Sequence, residues 1–124
     1  MDLQKYLRKK QKLKESREEI LRLSVSDEVF EFKKLDDEKY EAIQGRIIDA
    51  NNSGDNSELF AICRDLIYFS LPELHDPELL NELQVTYPPD AVKAIFSNAE
   101  IDGIGTELVR WNGMVSDDDT IKKV

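Results

Sequence analysis

Apolar residues recur along the chain with two different periods, and the switch between them organises it. From Asp2, a candidate N-cap, Leu3, Tyr6 and Leu7 fall on one helical face and predict a short helix to about Lys9. Lys9 to Arg17 carries one apolar residue, Leu13, and reads as either a linker or a water-exposed continuation of that helix. The period then drops to two. Leu21, Leu23 and Val25 alternate with Arg22 and Ser24, and Phe30 and Phe32 alternate with Glu31 and Lys33. The polar step Ser26-Asp27-Glu28 between them predicts a β-hairpin, although it lacks the Asn-Gly pair that tight hairpins favour. A lone hairpin is marginal in water, so helices are expected to cover one of its faces.

Beyond Asp36 the helical period returns. Asp36 is the next N-cap, Asp37 and Glu38 suit the positive end of the helix dipole, and Tyr40, Ile43 and Ile47 form a stripe. Gly45 weakens this helix by about 1 kcal/mol relative to Ala, so packing must hold it. The run Asn51 to Asn56 is expected to break it as a loop. Leu59, Ile62, Cys63, Leu66 and Ile67 give the clearest stripe of the chain and predict the central helix of the core. Pro72 ends that helix, and Asp76-Pro77-Glu78 starts another with Leu79, Leu80 and Leu83 on its apolar side. Pro88-Pro89 opens the next, with Val92, Ile95 and Phe96 expected to point inward. Ser97 and Glu100 have capping-box spacing and start the last helix, striped by Ile101, Ile104, Leu108 and Trp111 and stopped by Asn112-Gly113. Gly103 and Gly105 within it either weaken the helix or admit a neighbouring backbone. The expected fold is α+β: a short N-terminal helix, a two-stranded β-hairpin, then a mostly α-helical array of about four or five helices. Residues 1–113 form one expected domain with a basic arm at 1–17, and 114–124, containing Asp117-Asp118-Asp119, are expected to be a disordered tail.

Charge sharpens this picture. The 124 residues carry a formal net charge of −9, but Met1 to Arg22 hold 8 basic and 4 acidic residues, leaving the remainder at −13. An acidic body repels phosphate over most of its surface, which argues against nucleic acid as the partner. The basic arm is expected chiefly to be a solvated lead-in. No apolar run approaches the roughly 20 residues of a membrane span, and the amino terminus lacks a signal peptide's apolar stretch, so no membrane association and a cytoplasmic location are expected. One Cys excludes an internal disulfide framework and a cysteine-based zinc finger.

Tests for site chemistry return little. Asp49, Asn51, Ser53 and Gly54 match the early positions of a calcium-binding loop, but the closing position is Phe60 where a bidentate Glu is required. Glu73, His75, Asp76 and Glu78 surround the single histidine without a common zinc spacing, and Asp76 already serves as a cap. Cys63 lies on the central apolar stripe and is expected to be a buried structural thiol. Gly103-Ile104-Gly105 lacks the further glycine of a phosphate loop, and the sequon Asn51-Asn52-Ser53 has no bearing outside a secretory path. No catalytic, metal or cofactor residues are assigned, and the chain is expected not to be an enzyme.

Several local patterns resemble one family. The hairpin Ile20 to Leu35 running into Asp36-Asp37-Glu38-Lys39-Tyr40, the segment Leu71-Pro72-Glu73-Leu74-His75-Asp76-Pro77-Glu78-Leu79-Leu80, the step at Tyr87-Pro88-Pro89, Phe96 to Ile101 and the ending Trp111-Asn112-Gly113 carry the resemblance. Together they resemble the tail assembly chaperones of long-tailed bacteriophages and prophages of Gram-positive bacteria. The long basic lead-in and the pair Gly103 and Gly105 depart from that pattern. The resemblance implies a non-enzymatic chaperone, absent from the mature virion, that holds the tape-measure protein while the tail tube polymerises in the cytoplasm of the bacterial host. The tail tube protein is a further implied partner, and a homo-oligomer is compatible. The family often makes a longer product by ribosomal frameshifting, for which Lys122-Lys123 is a weak candidate site. A holdase needs exposed apolar surface, and the candidate partner-binding residues are Leu3, Tyr6, Leu7, Phe30 and Trp111. The competing reading is a small acidic intracellular adaptor or regulator that binds a single protein partner.

Overall fold

A computed structural model describes residues 1–114. Six α-helices and one antiparallel hairpin follow in the order α1 (Leu3–Arg17), β1 (Ile20–Val25), β2 (Glu28–Lys33), α2 (Asp37–Ser53), α3 (Asn56–Ser70), α4 (Pro77–Glu82), α5 (Ala91–Ile95) and α6 (Asn98–Trp111). Short 3-10 turns at Pro72–His75 and Pro88–Asp90 precede α4 and α5. The architecture is the α+β arrangement read from the sequence.

Local chemistry explains most of the boundaries. Asp2, Asp36, Asp55 and Asp76 each accept a hydrogen bond from a backbone N–H in the first turn of the helix they precede. Ser97 and Glu100 form both hydrogen bonds of a capping box at α6. The hairpin turns on Ser26 and Asp27, whose φ angles of 51° and 67° are the left-handed pair a two-residue turn requires. Strand register puts Leu21 opposite Phe32 and Leu23 opposite Phe30, so one face of the ribbon is apolar and packs inward.

That face closes on α3 and α6. Phe32, Leu66, Ile67, Leu71, Leu74, Val92, Phe96, Ile101, Ile104 and Leu108 form the main buried cluster. The opposite side of α3 meets α2 in a second cluster of Ile43, Ala50, Ile62 and Met114. The central role expected of α3 follows from its serving both clusters. α3 and α6 run side by side in the same direction: Asn56 lies near Asn98 at one end, and Cys63 packs on Gly105 further along. A Cβ placed on Gly105 would stand 2.5 Å from Cys63 Sγ and 3.2 Å from its Cα, so the two helices approach as closely as only glycine permits.

One open choice is settled and three expectations need correction. Helix α1 continues to Arg17, which settles the choice between linker and helix. The break expected over Asn51 to Asn56 is much shorter, because α2 extends to Ser53. Gly54 alone supplies the left-handed C-cap at φ 68°, and Asp55 immediately caps α3. Ala50, buried against Ile62, holds the last turn of α2 in place. Ile95 is exposed, not inward, because α5 is too short to present a second apolar face and Val92 and Phe96 already fill the core. Met114 belongs to the second cluster and not to a tail. The rest of the expected tail, with Asp117-Asp118-Asp119 and Lys122-Lys123, lies outside the described residues.

Candidate functional site

Helix α1 buries no residue. Leu3, Tyr6, Leu7 and Leu13 are 56%, 57%, 46% and 43% exposed, the densest set of uncovered large apolar side chains among the described residues. At 100° per residue, Leu3, Tyr6, Leu7, Lys10, Leu13, Lys14 and Arg17 share one face about 120° wide. The stripe is therefore apolar over the first two turns and increasingly basic towards the body. Seven basic residues stand against one acidic residue, Glu15, within the helix. A charged pair ties its carboxyl end to the body, where Arg17 Nη2 donates to both carboxylate oxygens of Asp37 at 3.4 Å. Both partners are exposed, so the pair contributes at most about 1 kcal/mol. Leu13, missed as a site residue, repeats Tyr6 seven positions on, a spacing that places it on the same face.

The other two candidates sit within the packing of the body. Phe30 is half-buried with its ring edge-on to Phe96 at 5.0 Å between centroids. Trp111 is half-buried beneath Lys34, whose ammonium lies 4.5 Å from the ring centroid and donates to the Trp111 carbonyl at 2.6 Å. Burial there pushes the Lys34 ammonium below its ordinary pKa, with the charge of Glu19 opposing. Among the described residues, α1 thus gathers Leu3, Tyr6, Leu7 and Leu13 on one exposed face, whereas Ile20, Val29, Ile48, Tyr87 and Ile95 are scattered over the body, and Phe30 and Trp111 pack between the hairpin segment and the helices.

The residues tested for chemistry occupy structural positions. Asn51 and Ser53, two ligands of the imagined calcium loop, are inside α2. The His75 ring lies on Tyr68 with centroids 4.4 Å apart, and its Nε2 is 2.8 Å from the Tyr68 carbonyl oxygen. Among the described residues no three His, Cys, Asp or Glu side chains converge to hold a metal ion. Cys63 is half-buried against α6, and burial, with the charge of Asp102 adding to it, raises its thiol pKa. No described helix is long and apolar enough to cross a membrane.

Periodicity gave no sign of the charged cluster between α2 and α3. Asp65 is buried and accepts from Arg46 Nη1 at 2.7 Å and from Arg64 Nε at 2.9 Å. Arg46 also reaches Glu58 at 2.7 Å, and Arg64 approaches Asp90 at 3.8 Å and lies over the Tyr87 ring. Burial opposes the Arg46 charge, but hydrogen bonds to Asp65 and Glu58 outweigh it and raise its pKa. The cluster pins α2, α3 and the turn before α5 together. With both acids and bases satisfied, it has a structural role.

Comparison with protein-family models, with curated proteins and with solved structures finds no match to this chain.

Proposed function

We propose that the chain is a tail assembly chaperone of a long-tailed phage or prophage, holding the helical tape-measure protein in the bacterial cytoplasm until the tail tube closes around it. The observation that carries this reading is α1, an uncovered helix with an apolar stripe at its tip, set on an acidic body whose buried apolar residues form two clusters and whose exposed ones, Ile20, Val29, Ile48, Tyr87 and Ile95, are scattered. A protein that holds a client needs a surface of this kind, and net charge keeps it dispersed when empty. The local patterns of the hairpin, the Leu71 to Leu80 segment and the α6 cap add the family resemblance.

Co-expression with the protein encoded by the neighbouring long, coiled-coil-rich reading frame tests it. That protein is expected to shift to the soluble fraction with the wild-type chain and to lose that shift with Leu3→Ser/Tyr6→Ser/Leu7→Ser. Because these side chains are exposed, the variant is expected to unfold at the same denaturant concentration as wild type. A client no more soluble with the chain than without it overturns the reading and favours the single-partner adaptor.

A further inference from the structure

A groove follows the seam between α3 and α6. Its lower part is a hollow of about 300 Å³ walled by α2, α3 and α6 and floored by Ile47, Leu59, Ile62 and Val109. A wider hollow of about 590 Å³ continues it between the amino ends of α3 and α6, and the two meet at Leu59, Cys63 and Asp102. Ile47, Leu59, Cys63 and Val109 are only half-buried, so apolar surface lies open where the two buried clusters adjoin. Two charges mark the groove's length. Arg110 stands at the lower end, and Asp102 lies eight positions earlier on α6, about 12 Å along the helix. Arg110 pairs with Glu107 at 3.5 Å, but both groups are exposed and the pair is weak. Thr106 Oγ1 donates to the Asp102 carbonyl and not to its carboxylate. We infer that residues 115–124, which follow Met114 outside the described residues, dock back into this groove as a peptide ligand supplied by the chain itself.

Position, length and charge select that occupant. After α6 the backbone turns at Gly113, whose φ is 74°. The Gly113 carbonyl accepts from Tyr40 Oη at 3.2 Å, and Met114 joins the cluster of Ile43 and Ile62. Tyr40, Ile43 and Ile47 are successive positions of the α2 stripe, so the described chain stops one turn short of the groove wall at Ile47. From there ten residues reach up to about 33 Å. The groove rises about 17 Å along α6 from Val109 to Asn98, so the segment can follow all of it. Charge runs in matching order. Asp117-Asp118-Asp119 come first, next to the Arg110 end, and Lys122-Lys123 come later, towards Asp102. The step from Asp118 to Lys122 spans about 13 Å when extended, close to the separation of Arg110 and Asp102 along α6. Val115 and Ile121 supply apolar side chains for the floor. A segment tethered at the mouth has an effective concentration in roughly the millimolar range, well above that of a separate peptide or the same segment of a second copy. The inference does not depend on α1 or on its client.

Cys63 is the single thiol of the chain and lies where the two hollows meet, so its alkylation under native conditions reads whether the groove is covered. In the full chain, Val115→Ser/Ile121→Ser is expected to speed labelling by a neutral maleimide about tenfold, and Asp117→Lys/Asp118→Lys/Asp119→Lys to do the same. The urea midpoint, followed in parallel, is expected to stay close to that of wild type, which separates an uncovered groove from an unfolded chain. Adding Arg110→Glu to the lysine variant is expected to return most of the protection, whereas Arg110→Glu alone loses it. Protection is expected to be equal at about 5 and 200 µM protein, because the contact is intramolecular. Labelling indifferent to both sets of substitutions overturns the inference, and so does a combination with Arg110→Glu that labels as fast as the lysine variant. Protection that grows with protein concentration also overturns it and assigns the groove to the same segment of a second copy. Failure of client binding through α1, with the labelling pattern intact, would count against the proposed function alone.

Discussion

Gly105→Ala probes the contact on which the helical core depends. The added methyl would stand 2.5 Å from Cys63 Sγ, 2.6 Å from Cys63 Cβ and 3.2 Å from Cys63 Cα. The thiol can rotate away, but the Cβ and Cα belong to α3 and move only if the helices separate. Separation would disturb Leu66 and Ile67 on one side and Ile101, Ile104 and Leu108 on the other, all within the main cluster. Overpacking a core by one methyl costs about 1–3 kcal/mol, and a clash with backbone belongs at the upper end. Ala returns up to about 1 kcal/mol through helix propensity, so a net loss of about 2 kcal/mol is expected. Urea unfolding followed by circular dichroism reads this as a lower midpoint at unchanged slope, and a thermal scan as a fall of roughly 8 °C. Gly103→Ala is the control. It gains the same propensity, meets nothing within 4 Å, and is expected to gain up to about 1 kcal/mol. Cys63→Ala removes the sulfur but leaves the Cβ, so in the Gly105→Ala background it should relieve only part of the loss. If Gly105→Ala matches Gly103→Ala in stability, the close parallel approach of α3 and α6 is wrong.

The remaining predictions concern the body. Asp65→Ala leaves the Arg46 and Arg64 guanidinium groups facing each other without their shared carboxylate and is expected to destabilise by about 3 kcal/mol in chemical denaturation, whereas Glu58→Ala, half-exposed, costs under 1. Asp27→Gly relaxes a left-handed residue at φ 67° and is expected to stabilise the fold by about 0.5–1 kcal/mol, read as a higher unfolding midpoint. Ser26 is left alone because its hydroxyl donates to Glu100 at 2.8 Å. Cys63 has a thiol pKa raised in the folded chain, so folding holds its proton. Its contribution is complete below the ordinary thiol pKa and lost as pH rises through the folded value; the wild type is thus expected to lose stability on the alkaline side faster than Cys63→Ser in a pH series of melts. Iodoacetamide labelling at pH 8 should be slow when folded and fast in urea.

Cap chemistry made most helix starts readable, because it is local. Asp36, Asp76-Pro77 and the Ser97–Glu100 pair each act within four residues, and the structure begins a helix at each. The alternation of Leu21, Leu23 and Val25 gave the hairpin for the same reason. What escaped depends on residues far apart in sequence. The end of α2 reads as a polar loop until Ala50 is seen buried on Ile62 of α3. The Arg46–Asp65 pair spans 19 positions and leaves no periodic trace. The pair Gly103 and Gly105 looks uniform in sequence, yet one faces Cys63 and the other open space. For the candidate site, Leu3, Tyr6 and Leu7 were legible as a face. Leu13 was lost among lysines, and the half-buried setting of Phe30 and Trp111 depends on Phe96 and Lys34, 66 and 77 residues distant.

Magnitudes decide what kind of binding α1 can support. Burying the exposed halves of Leu3, Tyr6, Leu7 and Leu13 removes roughly 300–400 Å² of apolar surface from water, worth about 8–10 kcal/mol at 25 cal/mol per Å². Association itself costs about 4–15 kcal/mol, with more for ordering long lysine side chains along the contact. Apolar contact therefore roughly offsets the cost of association and cannot by itself hold a partner tightly. The charges then choose which partner is held and how fast it arrives, since complementary charge raises encounter rates and penalises like-charged surfaces. A partner whose apolar face is flanked by acidic side chains satisfies that requirement, because α1 carries seven basic residues beside its apolar stripe.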